Sequence, residues 1–241
     1  MTTKLRQIEY FRGMEYRISR IIQESPRVRR FFLDTGAFDF NPGQFVVLTH
    51  PDLPFGQNQR SYSIASLNSK QEELELCIVL NEKGSVTPWL FQKKVGEMLD
   101  ISLAQGTFNL KNEGNSGPIV FVATGTGVAP FRSMIDASFK NSDAEVHLVF
   151  GNRIQEDILY RDHWETLQLE NARFHFYPVL SREEALNCHF GYVHGIYESL
   201  LIGQTDARIY VCGWQDMCKE ARERLKLLGF NRKQYAFEQY D

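Results

Sequence analysis

The feature that most limits the possible folds is a change of periodicity near the middle of the chain. Before it, apolar and polar residues alternate in short runs, which favours β-strands. After it, short apolar runs alternate with amphipathic helical segments, which predicts a parallel sheet covered by helices. A polar, glycine-rich stretch at Asn112 to Gly117 separates the two patterns. We therefore predict two domains, at residues 1–112 and 113–241.

The first domain is expected to consist almost entirely of strands. Strand-like runs separated by turn residues predict an antiparallel barrel or sandwich. One short helix is predicted over residues 85–91, with Ser85 as its N-cap. The predicted strands cover residues 14–21, 28–33, 44–48, 60–65 and 74–80.

The second domain is expected to be of the α/β class. Alternating strands and helices favour a parallel sheet whose strands are buried on both faces. The predicted strands cover residues 118–123, 146–150, 174–180 and 209–212. The predicted helices cover residues 130–139, 160–169 and 217–228.

Composition excludes several classes of function. The 241 residues carry a net charge of only -3, unlike a strongly basic nucleic-acid-binding domain. The N-terminal residues contain no apolar run, and no apolar stretch is long enough to span a bilayer, so we expect a cytoplasmic protein without an anchor. We also expect a monomer. The four cysteines are scattered and form no CxxC pair, so neither a metal site nor an iron–sulfur cluster is predicted. Electron transfer would therefore require an organic cofactor.

The sharpest local motif runs from Thr124 through Gly125 and Gly127 to Pro130. It follows an apolar strand and begins a helix. Glycine allows the backbone to approach a phosphate closely, and the helix N-terminus offers free N–H groups to it. Pro130 suits the first helical turn. The motif predicts a site for a dinucleotide diphosphate; the alternative is an ordinary strand-to-helix turn.

A second motif, Arg60-Ser61-Tyr62-Ser63, lies on a predicted strand of the first domain. The planar fork of an arginine matches the oxygens of a diphosphate. Tyr62 shares a strand face with Arg60 and offers a ring to a flat heterocycle. The alternative is a half-exposed strand with polar residues.

Two further signals lie near the end of the chain. Cys212-Gly213 ends a predicted parallel strand, where ligands of open α/β sheets bind. Buried cysteines are more often inert packing residues. The segment that contains Glu238 and Tyr240 fits a strand ending in an aromatic residue, as well as a site.

Taken together, these motifs resemble the ferredoxin–NADP reductase superfamily over nearly the whole chain. The order of the matching segments, rather than any one of them, carries the resemblance. The segments are Arg60-x-Tyr62-Ser63, Gly84-Ser85-Val86-Thr87, Gly96-Glu97, Gly106-Thr107-Phe108, the turn from Gly125 to Pro130, Gly151-x-Arg153 with Tyr160, Ser181-Arg182, Cys212-Gly213 with Met217, and Glu238-x-Tyr240.

The resemblance implies an antiparallel FAD-binding barrel followed by a Rossmann-like NADP-binding domain. It also implies a flavoprotein that takes hydride from NADPH and passes electrons singly to ferredoxin or flavodoxin. The residues that it assigns to FAD are Arg60, Ser61, Tyr62, Ser63, Gly84, Ser85, Val86, Thr87 and Tyr240. Those that it assigns to NAD(P) are Thr124, Gly125, Gly127, Pro130, Arg153, Ser181, Arg182, Cys212, Gly213 and Met217. Those that it places around hydride transfer are Ser63, Cys212, Glu238 and Tyr240.

Coenzyme choice and acceptor stay open at this stage. Ser181-Arg182 suits the 2′-phosphate of NADPH, but the downstream stretch Asn187 to Tyr192 holds no second arginine, so NADH is also possible. The alternatives are an NADH-dependent reductase component of an oxygenase or desaturase, a free-flavin reductase, and a flavin-bearing subunit without turnover. Basic residues that could steer an acidic partner are Arg27, Arg29, Arg30, Arg222, Arg224, Lys226, Arg232 and Lys233.

Overall fold

The chain divides into two compact units, Met1–Asn109 and Leu110–Asp241, in a computed structural model. The structure describes residues 13–68, 72–111 and 117–240. Most of the predicted linker, residues 112–116, lies outside the described residues. The predicted boundary after residue 112 therefore stays a prediction.

The first unit is an antiparallel sheet of six strands, in the order β4-β3-β6-β1-β2-β5. A bridge between Ile64 and Leu76 joins the ends of the two outer strands, and Ala65 N–H donates to the Glu75 carbonyl oxygen over 2.8 Å. These contacts close the sheet into a barrel, as the resemblance implied. Its elements are β1 (Met14–Ser25), β2 (Val28–Asp34), β3 (Phe45–Thr49), β4 (Gln59–Ser63), β5 (Glu73–Val79), α1 (Val86–Leu90) and β6 (Met98–Ile101).

The barrel interior is filled by the apolar side chains that alternate along its strands. Residues such as Phe31, Leu33 and Leu48 are fully buried and belong to one apolar cluster. Val86 and Leu90 of α1 join the same cluster, which explains why so short a helix is held in place. Ser85 occupies the N-cap position of α1, but its side chain makes no capping hydrogen bond.

The second unit is a parallel sheet of six strands, in the order β10-β9-β8-β7-β11-β12. Every neighbouring pair in it is parallel. Its strands are β7 (Ile119–Thr124), β8 (Val146–Asn152), β9 (Phe174–Leu180), β10 (His189–Phe190), β11 (Arg208–Trp214) and β12 (Tyr235–Tyr240). Its helices are α2 (Ala129–Asn141), α3 (Arg161–Glu170), α4 (Val193–Leu201) and α5 (Gln215–Leu227).

Helices cover both faces of this sheet. One face holds Val122, Val149 and Val211, which pack against Tyr197 of α4 and Leu225 of α5. The other face carries aromatic contacts, among them Phe121–Phe131, Phe121–Tyr210 and Trp164–Phe174. Burial on both faces explains the near-continuous apolar sequence of β7, as predicted. None of the described helices is long and apolar enough to cross a lipid bilayer.

Candidate functional site

The turn after β7 has the form that its sequence predicts. Residues Gly125–Val128 form one turn of 3-10 helix, and α2 follows with Pro130 in its first turn. Gly125 has φ +53°, in the left-handed region that favours glycine. The N-terminus of the 13-residue α2 provides free N–H groups and the positive end of a helix dipole. This end of the sheet is therefore suited to bind a diphosphate.

The two glycines of the turn have different functions. A Cβ atom on Gly127 would lie 2.6 Å from the carbonyl carbon of Cys212 and 2.8 Å from the Cα atom of Gly213. Gly213 itself has φ +147°, and a Cβ there would lie 3.0 Å from the backbone nitrogen of Thr124. Gly127 and Gly213 thus allow the turns after β7 and β11 to pack backbone against backbone. A Cβ on Gly125 would meet only Trp214, so Gly125 is the glycine that leaves room for a ligand.

Both turns lie where the strand order of the sheet reverses. From β7 the chain adds β8, β9 and β10 on one side, and then β11 and β12 on the other. In open α/β sheets, ligands bind in the crevice beyond the carboxyl ends of the strands at such a point. The glycine turn after β7 and the backbone of Cys212-Gly213 at the end of β11 lie side by side at this crevice.

Cys212, Glu238 and Tyr240 come together on β11 and β12. Cys212 is paired in register with Glu238, and the Tyr240 side chain hydrogen-bonds the Cys212 sulfur. Burial raises the pKa of the Cys212 thiol well above its ordinary value, and the Glu238 carboxylate adds to that effect. The thiol is therefore neutral at pH 7 and is not a thiolate nucleophile. The remaining member of the predicted catalytic set, Ser63, is 6% exposed and belongs to the first unit.

The ends of β8 and β9 bring two arginines to one edge. Arg182 N–H donates to the Arg153 carbonyl oxygen over 2.9 Å, and Ser181 N–H donates to the Asn152 carbonyl oxygen over 3.1 Å. The side chains of Arg153 and Arg182 are both exposed. The Asn152 side-chain nitrogen is buried and has no hydrogen-bond partner among the described residues. A cleft of about 450 Å³ opens beside them, lined by Ile154, Gln155, Glu156, Arg161 and Glu183.

The residues predicted to hold FAD lie on β4 and in the segment from Gly84 to Thr87 at the start of α1, apart from Tyr240 on β12. Arg60 and Ser61 are exposed on β4, whereas Ser63 is buried. The Tyr62 hydroxyl oxygen is buried and has no hydrogen-bond partner among the described residues. Burial raises the pKa of Tyr62 far above its ordinary value, so the hydroxyl keeps its proton. A buried hydroxyl without a partner is costly unless a ligand supplies one.

The segment from Gly84 to Thr87, at the start of α1, offers its backbone to a ligand rather than its side chains. The Thr87 hydroxyl accepts from Asn81 N–H over 2.9 Å and donates to the Asn81 carbonyl oxygen over 3.1 Å. Val86 is buried in the barrel core. Gly84 and Ser85 stand between these anchored positions. Because the Gly84 N–H donates to the Asn81 carbonyl oxygen over 3.0 Å, the N–H groups from Ser85 onward, at the start of α1, are the part of this segment suited to a diphosphate.

Two residues in the predicted matches are packed into the protein. Met217 is 9% exposed and belongs to the apolar cluster under α5. Tyr160 is 4% exposed, has φ 56°, and lies 4.2 Å below the Arg132 guanidinium. Both shape the surroundings of the crevice from within the core, and a direct contact to coenzyme stays a prediction for Met217.

The observed residues fit both cofactors. The Tyr62 hydroxyl on β4 has no hydrogen-bond partner among the described residues, and Gly125 leaves open space in the turn that precedes α2. Among residues 13–68, 72–111 and 117–240, no three His, Cys, Asp or Glu side chains are grouped so that they could hold a metal ion.

The residues that the sequence did not indicate include Trp214, which follows Gly213 directly and is 60% exposed. Its position at the carboxyl end of a parallel strand was the available signal. The missed cleft residues of the β8 and β9 loops had no comparable signal, because their sequence is that of an ordinary polar loop.

Comparison with known proteins assigns both units. Residues 15–110 match the oxidoreductase FAD-binding domain family, and residues 121–223 match the oxidoreductase NAD-binding domain family. The chain thus combines an FAD-binding domain with an NAD(P)-binding domain, which confirms the predicted fold class and cofactors.

Individual relatives agree with this assignment. Ferredoxin–NADP reductase B of Sorangium cellulosum is 34% identical over 94% of this chain and 97% of its own. The anthranilate 1,2-dioxygenase electron transfer component of Acinetobacter baylyi is 28% identical over 73% of this chain, but over only 50% of its own length. A ferredoxin NADP+ reductase structure from Neisseria gonorrhoeae with bound FAD and NADP has a TM-score of 0.82, with 21% identity, and covers 95% of this chain and 98% of that one.

Proposed function

Because this chain belongs to the ferredoxin–NADP reductase family, we propose that it oxidises NADPH with FAD and reduces a one-electron carrier protein. The observation that carries the proposal is the crevice at the strand-order reversal. There the glycine turn before α2 packs against Cys212-Gly213, and Cys212 contacts Glu238 and Tyr240 of β12. The chain spans 97% of the length of one curated relative, but only 28% and 50% of the length of two others. The identity of the protein that receives the electrons is therefore part of the proposal.

The protein's contribution to this reaction is to bind and align. FAD, when bound, supplies the chemistry that accepts a hydride and releases electrons one at a time. The N-terminus of α2 binds the coenzyme diphosphate, and Gly125 permits its close approach. Tyr62 and the N–H groups of Ser85 to Thr87 hold FAD on the barrel. Cys212 is fully buried and stays a neutral thiol in contact with Tyr240, so it packs behind the proposed nicotinamide site and does not compete as a nucleophile.

Coenzyme choice follows from the arginines at the ends of β8 and β9. The backbone hydrogen bond between Arg182 and Arg153 brings two exposed arginines to the same edge of the sheet, next in sequence to residues that line the cleft. The 2′-phosphate of NADPH requires such cations, whereas NADH does not. The second arginine that the sequence downstream of Arg182 lacks is therefore supplied from the neighbouring strand.

The coenzyme proposal is tested by kcat/KM for NADPH and NADH in Arg182→Ala and Arg153→Ala. We expect each variant to lose about tenfold with NADPH and less than about twofold with NADH, because one charged phosphate contact is worth roughly 1.5–3 kcal/mol. Arg17→Ala, which removes a similarly exposed arginine of the first unit, is the control. Equal losses with both coenzymes would show that these arginines do not bind the 2′-phosphate.

The basic residues proposed for partner binding differ in how their charge is balanced. Arg30 is paired with Glu75 and Glu24. Arg27 and Arg29 instead donate to the carbonyl oxygens of Leu80 and Phe91. Arg27 and Arg29 therefore keep the charge that attracts an acidic carrier such as ferredoxin or flavodoxin.

Arg224 on α5 resembles Arg30, because it is paired with Glu198 and Glu220. Reversal of charge at Arg27 should slow reduction of an acidic ferredoxin at low salt and flatten its salt dependence. Bleaching of the flavin by NADPH should stay unchanged. Ferredoxin reduction at the wild-type rate in Arg27→Glu would remove Arg27 from the docking surface.

The alternatives make different predictions. A free-flavin reductase would not retain FAD through purification, and a subunit without turnover would not reduce ferricyanide. An oxygenase reductase component would prefer NADH. All four cysteines are free thiols, which supports the cytoplasm as the compartment that we propose.

A further inference from the structure

Trp214 is an exposed aromatic residue at the carboxyl end of β11. Its side chain is 60% exposed, although tryptophan is highly buried on average. It directly follows Gly213, whose backbone packs against Thr124. An indole left in water at the crevice provides a flat, polarisable surface for a ligand.

Backbone contacts on two sides fix the position of Trp214, and a third contact places its indole. The backbone N–H of Trp214 donates to the Thr124 hydroxyl over 3.2 Å, which ties this strand end to the residue before the glycine turn. On the other side, Trp214 is paired in register with Tyr240 of β12. The indole Nε1 atom lies 3.9 Å from the place that a Cβ on Gly125 would occupy. The indole therefore lies beside the proposed diphosphate turn, on a residue whose backbone neighbour is the proposed hydride-transfer residue Tyr240.

The topology decides which half of a dinucleotide meets Trp214. A dinucleotide bound at the α2 N-terminus extends to both sides of the strand-order reversal. Arg153 and Arg182, with the cleft, lie on the β8–β9 side and suit the phosphorylated adenosine half. Trp214 lies on the β11–β12 side, together with Cys212. The nicotinamide half is therefore the half that lies within reach of the indole.

We propose that Trp214 packs its indole face against the nicotinamide half of the coenzyme and favours the oxidised ring over the reduced one. The inference rests on the proposed function, because it requires a nicotinamide coenzyme in this crevice. The oxidised ring is a cation, and indole is the aromatic surface that attracts cations most strongly. The reduced ring is neutral and gains only the apolar contact. Trp214 is thus a specificity-determining residue for the redox state of the coenzyme.

Three ligands separate the parts of this proposal. NADP+ has the cationic ring, 1,4,5,6-tetrahydro-NADP has a neutral ring that cannot donate hydride, and 2′,5′-ADP has no nicotinamide half. Calorimetric titration of the FAD-loaded Trp214→Ala variant should show about tenfold weaker binding of NADP+. Binding of tetrahydro-NADP should weaken about threefold or less, and binding of 2′,5′-ADP should be within about twofold of wild type.

Tryptophan fluorescence gives an independent readout. NADP+ should quench part of the emission of the wild-type protein, and Trp214→Ala should abolish that part. Trp89→Phe, in the first unit, is the matched control: it removes one indole but should keep the quenching by NADP+. Trp214→Phe should retain part of the preference for NADP+, because phenylalanine offers a weaker π surface.

Several outcomes would overturn the inference. Equal loss of NADP+ and tetrahydro-NADP binding would show that the indole does not distinguish the charge of the ring. Equal loss of 2′,5′-ADP binding would show that Trp214 acts on the diphosphate turn instead. A wild-type protein that binds none of the three ligands would contradict the proposed function itself, which keeps the two failures distinct.

Discussion

Gly127 provides the sharpest test of how the crevice is built. An alanine there would place its Cβ 2.6 Å from the carbonyl carbon of Cys212 and 2.8 Å from the Cα atom of Gly213. Real Cβ atoms do not approach backbone so closely, and no flexible side chain can move out of the way. The turns after β7 and β11 must therefore separate in Gly127→Ala.

The expected cost follows from this geometry. Overpacking of this kind destabilises proteins by about 1–3 kcal/mol. A domain of this size loses about 2–4 °C of melting temperature per kcal/mol, so we expect a fall of roughly 2–12 °C. Scanning calorimetry measures that shift. Titration with 2′,5′-ADP should show weaker binding as well. The Cβ added at position 127 presses against Gly213 and so displaces the turn that carries Gly125.

Gly195→Ala is the matched control. Gly195 lies within α4, and a Cβ there would meet nothing within 4 Å. This substitution should stabilise the protein by about 0.5–1 kcal/mol, because alanine favours the helix over glycine. If Gly127→Ala melted at or above the temperature of the wild type and bound 2′,5′-ADP normally, the close packing of the two turns would be wrong.

Three further predictions concern buried polar groups. Tyr62→Phe should weaken FAD binding about fivefold, measured by fluorescence titration of the FAD-free protein, and should leave the stability of that protein unchanged or higher, because an unpaired buried hydroxyl is removed. Burial lowers the pKa of His147 to about 4, so between pH 6.5 and 4 the unfolded chain binds a proton that the folded protein does not. The free energy of unfolding should therefore decrease as the pH drops through that window, by on the order of 1 kcal/mol after allowance for solvent screening. His147→Gln should make this decrease smaller, as measured by urea unfolding at several pH values. Arg30→Met should cost more than about 1 kcal/mol in urea unfolding because it removes the ion pair to the Glu75 carboxylate, which is 7% exposed, whereas Arg17→Met at an exposed pair should cost less than about 1 kcal/mol.

Strong periodicity made most of the fold predictable. The continuous apolar run of β7 and the amphipathic pattern of α5 each identify an element with a buried face. The missed elements lacked such a pattern. β6 has four residues and β10 has two, too few to show an alternation. The sequence of α4 contains Gly195, which argues locally against a helix and is overcome by the burial of Val193 and Tyr197 against the sheet.

The candidate site was predictable where backbone geometry demands a residue type. Gly125 and Pro130 show their roles in the sequence, because a left-handed turn and a first helical turn prefer these residues. The role of Gly127 was not predictable, since it depends on a second turn almost ninety residues later. For the same reason, the sequence does not predict that Arg153 and Arg182 are neighbours. Their backbone hydrogen bond forms because β8 and β9 lie side by side.

Anaerobic titration of the purified protein with NADPH, followed by absorbance, tests the central claim most directly. The account predicts a yellow protein whose flavin absorbance near 450 nm is bleached by about one equivalent of NADPH and restored by ferricyanide. A protein that does not take up FAD supplied in excess, or whose bound FAD stays oxidised with both NADPH and NADH, would contradict it.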